Sequence, residues 1–138
     1  MVDDRLRDGK RIAEFLASEL DGLGDALARV AITDADREVT PTPDGAHAYR
    51  VTRRDDGTDG SGAFDLAVAF VQPDRARVEF LVEQETAAEV ASDEGLRVRP
   101  KASRPPRTLV FVEDGAEVKR VVTVFEAVVA AVDEAASA

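Results

Sequence analysis

Two stretches of the chain repeat their apolar residues at helical spacing, and between them lie short runs that alternate. Over residues 3–28, Leu6, Ala13, Leu16, Leu20, Leu23 and Leu27 fall three or four positions apart or at multiples of that spacing, and Ile12 and Phe15 widen the stripe. Asp3 or Asp4 suits the N-terminal cap, while Gly22 and Gly24 weaken the last turn, so the spacing predicts a helix that stops near Leu20. From Ala116 to Ala136 the same period carries Val118, Val121, Val122, Phe125, Val128, Val129 and Val132. Valine is stiff at χ1 and forms helix poorly, so this second long helix has to be held by packing.

The intervening runs read as strands and one short helix. "VAIT" (30–33) is a short strand, followed by the proline-bearing loop "DADREVTPTPDGA". "HAYRVTR" (47–53) alternates, with His47, Tyr49 and Val51 on one face. "AFDLAVAFV" (63–71) sets Phe64, Leu66, Val68 and Phe70 on one face and Asp65, Ala67, Ala69 and Val71 on the other. "ARVEFLVE" (76–83) points Ala76, Val78, Phe80 and Val82 inward and Arg77 and Glu79 outward, and a Pro-Asp turn joins it to the preceding strand as the strongest hairpin signal. "QETAAEVASDEG" suits a short helix closed by Gly95, "LRVR" (96–99) an edge strand stopped by Pro100, and "RTLVFVE" (107–113) a central strand.

This order lacks the strand–helix–strand alternation of a parallel sheet. It predicts a single α+β domain over residues 1–138, an antiparallel sheet in two layers with both long helices on one face. The face carrying Ala67, Ala69, Val71 and Leu81 is more apolar than a solvated sheet face should be. Either the chain itself covers it, or it is an interface with a second copy or a protein partner.

Composition narrows the chemistry. The chain has no cysteine, which excludes disulfides, thiol catalysis and cysteine-ligated metal sites. Its most apolar run, "VVTVFEAVVAAV", is short of the roughly 20 residues a membrane span needs and contains Glu126. The opening "MVDDRLRDGK" is charged where a secretory leader is apolar, so a cytoplasmic location away from membranes is expected.

The charged residues say more than their sum. There are 28 acidic residues against 18 basic, a net charge of −10, and only Lys10, Lys101 and Lys119 among the basic ones are lysine. In multi-molar salt the Debye length falls below roughly 3 Å, so carboxylates repel little while holding water and hydrated cations at the surface. In this composition, and in the opening "MVDDRLRDGKRIAEFLASEL", the chain resembles the small uncharacterised acidic proteins of haloarchaea, from which no activity carries over. Its element order is also similar to that of dimeric secretion-chaperone-like domains, small acidic proteins that bind extended peptides along a sheet. That resemblance implies a homodimer or a protein partner.

Familiar catalytic and metal signatures fail one by one. His47 is the lone histidine and sits on an alternating strand, where a structural or solvated role is expected. "DDGTDGSGAFDL" places Asp55, Asp59 and Gly60 as a calcium loop would, but Gly57 and Leu66 stand where ligands belong. Gly57, Gly60 and Gly62 fit neither a P-loop nor a dinucleotide fingerprint, and Ser61 has no nucleophile elbow around it. No cofactor and no metal is expected.

One stretch remains. "RVRPKASRPPR" (97–107) holds Arg97, Arg99, Lys101, Arg104 and Arg107 and no acid; without these five cations the rest of the chain would stand at −15. Arginine forks bind oxyanions well, and proline stiffens the connector. Nucleic acid is an unsuitable target: at about 0.9 log units of affinity per phosphate per log unit of salt, five contacts lose on the order of four decades for a tenfold rise in salt. One tyrosine and no tryptophan also leave little for base stacking. Three readings stay open: edge-strand cations paired with neighbouring carboxylates, a partner contact, or an anion pocket. The chain is thus expected to be a non-enzymatic self-associating or partner-binding domain, with a small-anion binder or enzyme built on Arg97, Arg99 and Arg107 as the alternative.

Overall fold

The computed structural model describes residues 8–22, 27, 29–54 and 64–137. Its elements are α1 (Gly9–Gly22), β1 (Val30–Thr33), β2 (Ala46–Arg53), β3 (Phe64–Gln72), β4 (Arg75–Phe80), α2 (Gln84–Asp93), β5 (Arg97–Lys101), β6 (Arg107–Val112) and α3 (Gly115–Ser137). The strands form one sheet in the order β1-β2-β3-β4-β6-β5, every neighbouring pair antiparallel. The chain meanders through β4, crosses by α2 to the edge strand β5, and returns inward as β6. This is the α+β two-layer arrangement that the element order predicts, with both long helices on one face.

Cross-strand register fixes which residues face the helices. Ala67 lies opposite Phe80, Ala69 opposite Val78 and Val71 opposite Ala76, and Val78 and Ala76 in turn oppose Val110 and Val112. The Phe80 ring meets Phe125 of α3 with centroids 4.8 Å apart, and the Tyr49 hydroxyl donates to the Ala13 carbonyl of α1 at 2.7 Å. Burial pushes the Tyr49 phenol above its ordinary range, because a phenolate there would lose its water. Gly9 allows the start of α1 to press on the β3–β4 turn: its N–H bonds the Pro73 carbonyl at 3.2 Å, and a Cβ there would lie 1.9 Å from the Gln72 carbonyl oxygen.

Four sequence expectations need correction. Ala67, Ala69 and Val71 form no exposed patch; each is at most 1% exposed beneath the chain's own helices. Leu81, the fourth residue of that expected interface, has left the ladder, and its N–H bonds the Leu66 carbonyl at 2.9 Å. Strict alternation also fails at two irregularities in the β2–β3 pairing. One, at Ala48, separates outward His47 from inward Tyr49 and Val51; the other, at Leu66, turns that side chain into the core with Ala67. Finally, β5 runs on through Pro100 to Lys101, which an edge strand tolerates because one side of its backbone has no ladder to supply.

The start of α3 is capped reciprocally. Asp114 Oδ1 accepts the Glu117 N–H at 2.9 Å, and Glu117 Oε1 accepts the Glu113 N–H at 2.7 Å. Burial raises the Glu117 carboxyl above its ordinary range, the Glu113 N–H opposes that rise, and the neighbouring Asp114 and Glu113 charges add to it. Among the described residues, no helix is long and apolar enough to cross a membrane.

Candidate functional site: the outer face of the sheet

The helices cover one face of the sheet; no described helix or strand lies on the other, and the loop before β2 reaches onto it at Arg77, whose Nη1 donates to the Asp44 carbonyl at 3.0 Å. Register lines its side chains into rows that run across the strands. One row reads His47, Phe70, Arg77, Phe111, Arg97 from β2 to β5, a histidine followed by alternating phenylalanine and arginine. The next reads Arg50, Val68, Glu79, Leu109, Arg99. Lys101 and Arg107 stand opposite each other one step further along β5 and β6.

The rows hold themselves together by charge and stacking. Arg77 lies over the Phe70 ring, 4.8 Å from its centroid, and His47 meets the same ring edge-on at 6.1 Å. Glu79 is 1% exposed on the central strand β4, where an isolated carboxylate would cost several kcal/mol. Its Oε2 accepts from Arg77 Nε at 2.9 Å, and its Oε1 faces Arg107 Nη1 at 3.0 Å and Lys101 Nζ at 3.5 Å. Glu113 is shared between Arg75 at 3.0 Å and Arg97 at 3.4 Å, and Asp65 pairs with Arg50 at 2.9 Å. Val68 is buried on this side without belonging to the helix-facing core.

The structure thus brings four of the five cations singled out in the sequence onto one surface: Arg97, Arg99, Lys101 and Arg107. Arg104 stands exposed in the connector between β5 and β6. Arg97, Lys101 and Arg107 are turned onto carboxylates, whereas Arg99 and Arg104 make no ion pair among the described residues. Arg77, Phe70, Leu109 and Phe111 complete the surface and escape sequence reasoning, because only the register sets them beside β5. The one available signal is that Arg77 and Glu79 alternate outward on a strand with an apolar inner face.

Two hollows flank the sheet. One of about 520 Å³ lies between α1 and the loop after β1, with Ala13, Ala17, Val39, Ala48 and Tyr49 among its walls and Lys10, Glu14 and Arg37 also lining it. A smaller one of about 280 Å³ sits at the foot of β5 and β6 among Gln84, Pro100, Lys101, Pro106, Arg107 and Thr108. His47 Nε2 is 3.6 Å from Asp34 and makes no hydrogen bond. Among the described residues, no group of three or more histidine, aspartate or glutamate side chains is placed to hold a metal. The calcium-like segment from Asp55 through Ser61 and Gly62 lies outside the described residues, and Leu66 at its end is core. What the outer face offers chemically is charge-assisted hydrogen bonding beside apolar contact, the equipment of recognition.

The chain belongs over its whole length, residues 1–138, to a family of unknown function (DUF7993). No curated protein and no solved structure matches it.

Proposed function

We propose that this member of the family is a non-enzymatic binding domain that docks a protein partner on the outer face of its sheet. The observation that carries this reading is the row His47–Phe70–Arg77–Phe111–Arg97, aromatic and cationic in turn, on a face that no described element covers. Arginine and aromatic side chains are the groups enriched where proteins meet. The composition supports placing this recognition in the cytoplasm of a cell with a salt-rich interior, where the acidic remainder of the surface keeps the protein hydrated.

The rival reading, a small-anion pocket built on Arg97, Arg99 and Arg107, has less support. Those three arginines lie along a sheet face, and two of them are turned onto Glu113 and Glu79. Self-association through this face is also disfavoured, since two copies would set cation against cation.

Selection of peptides from a random library against the immobilised protein tests the proposal. The selected binders should lose affinity for Phe111→Glu and keep it for Lys119→Glu, an exposed site on α3. The melting temperature of Phe111→Glu reports whether the fold survives. Binders indifferent to Phe111→Glu would contradict the proposal.

A further inference from the structure

We infer that the partner presents an extended segment in which acidic and apolar residues alternate, lying along β5 and β6 on the outer face. The inference rests on the docking reading above and adds the chemistry of the occupant.

Charge gives the first argument. On strands β4 to β6 and the residue after β6, the outer face carries Arg75, Arg77, Arg97, Arg99, Lys101 and Arg107. Only Glu79 and Glu113 oppose them there, in a chain whose net charge is −10. At contact range an acidic segment finds charge-assisted partners here, while the acid-rich remainder of the surface offers it few, so its charge selects the face as well as supplying affinity. Arg99 is the open position, exposed and without an ion pair among the described residues.

Spacing gives the second. Arg97, Arg99 and Lys101 occupy alternate positions of one strand, so they repeat at about 6.6–6.8 Å, the repeat of alternate side chains in any extended peptide. Leu109 and Phe111 stand opposite Arg99 and Arg97 on β6, one strand spacing of about 4.8 Å inward. A peptide laid over the seam between β5 and β6, its side chains spreading to either side, sets one series against the β5 cations and the other over Leu109 and Phe111. That geometry asks for acid, apolar, acid, apolar.

The surface is a poor match for single-stranded nucleic acid. Phe70 is already stacked by Arg77, Val68 and Leu109 offer no ring, and Phe111 is left as a single ring where a strand of bases needs several. A second copy meeting this face with its own would set cation against cation, which disfavours it as the occupant.

The test is fluorescence anisotropy with three labelled probes: an eight-residue peptide of alternating Glu and Leu, a peptide of the same composition in two blocks, and an oligothymidine of eight nucleotides. The alternating peptide should bind at least about tenfold more tightly than either other probe. Arg99→Glu should weaken it by about tenfold or more and Lys119→Glu should leave it unchanged. Because Arg99 holds no ion pair among the described residues, its replacement leaves the fold's own pairings in place. Equal binding of the block peptide or of the oligothymidine overturns the inference. Library-selected peptides that are neutral or basic yet sensitive to Phe111→Glu would overturn it too, while leaving the docking face standing. Neither selected binders nor alternating-peptide binding would remove both. A doubling of native mass through this face would replace the occupant by a second copy and overturn the inference as well.

Discussion

Arg107 Nη1 lies 3.0 Å from Glu79 Oε1, joining the last cation of the basic stretch to a buried carboxylate 28 positions earlier in the chain. The pairing explains part of the stretch and exposes the remainder. Arg107 and Lys101 hold the charge of Glu79, as Arg97 holds that of Glu113, so each of these cations has a partner within the fold as well as a place on the outer face. Arg99 has no such duty among the described residues, and it stands between Arg97 and Lys101 on β5.

Glu79→Gln should cost about 2–3 kcal/mol, toward the low side for a broken buried ion pair. Lys101 and Arg107 are partly exposed and can turn to water, whereas Arg77 is the more enclosed partner and suffers most. Urea unfolding measures the loss. A cost under about 0.5 kcal/mol would mean that the cluster contributes little to stability.

Tyr49→Phe removes the hydrogen bond to the Ala13 carbonyl and should cost about 1 kcal/mol near neutral pH. The folded phenol titrates above its unfolded value of about 10, so the native state favours the neutral form. Stability is complete below that value and falls as pH rises beyond it. The Phe variant lacks this alkaline loss, and melting curves from pH 8 to 11 should therefore converge.

Glu117 gives the opposite comparison. Its folded carboxyl is raised above the unfolded one, so ionisation lowers stability as pH rises through the window above the ordinary glutamate value. Glu117→Gln keeps an acceptor for the Glu113 N–H and removes the buried charge. It should melt higher than the parent protein at pH 7 and should match it at pH 3. Greater stability of the parent at pH 7 would show that the charged cap outweighs its desolvation.

Gly9→Ala should lower the melting temperature by more than about 5 °C, a loss above roughly 1–2 kcal/mol, because the added methyl meets two backbone carbonyl oxygens of the β3–β4 turn. A Gly22→Ala control meets nothing within 4 Å and should change little.

The acid-rich, lysine-poor composition predicts that the melting temperature rises steadily from 0.1 to 3 M KCl. A flat or falling curve would remove the argument for a salt-rich cell while leaving the fold and its outer face untouched.

The elements were legible in the sequence and the faces only in part: alternation set Ala76, Val78 and Phe80 inward and Arg77 and Glu79 outward on β4, but it misplaced His47 and Leu66. Helical spacing located α1 and α3, and the Pro-Asp turn located the β3–β4 hairpin, because those signals are local. Facing failed where local alternation met long-range pairing. The extra residues at Ala48 and Leu66 shift the period without leaving a mark in composition. The apolar face of Ala67 and Ala69 left open whether this chain or a partner covers it; Phe80 lies across from Ala67 and packs on Phe125 of α3, a helix contact that no strand pattern reveals. Of the candidate site, the cations were visible as an anomaly of charge. Glu79, Phe111 and Leu109 became part of it only through the β4–β6–β5 register.

The most direct test of the docking face is a map of backbone amide shifts as the alternating Glu-Leu peptide, or a library-selected binder, is added to the labelled protein. The account predicts changes concentrated on Arg97–Lys101 and Arg107–Phe111, with Arg77 and Glu79 following and the helices quiet. Changes concentrated instead on α1 and the loop after β1, around Ala17 and Val39, would place recognition in the larger hollow and contradict it.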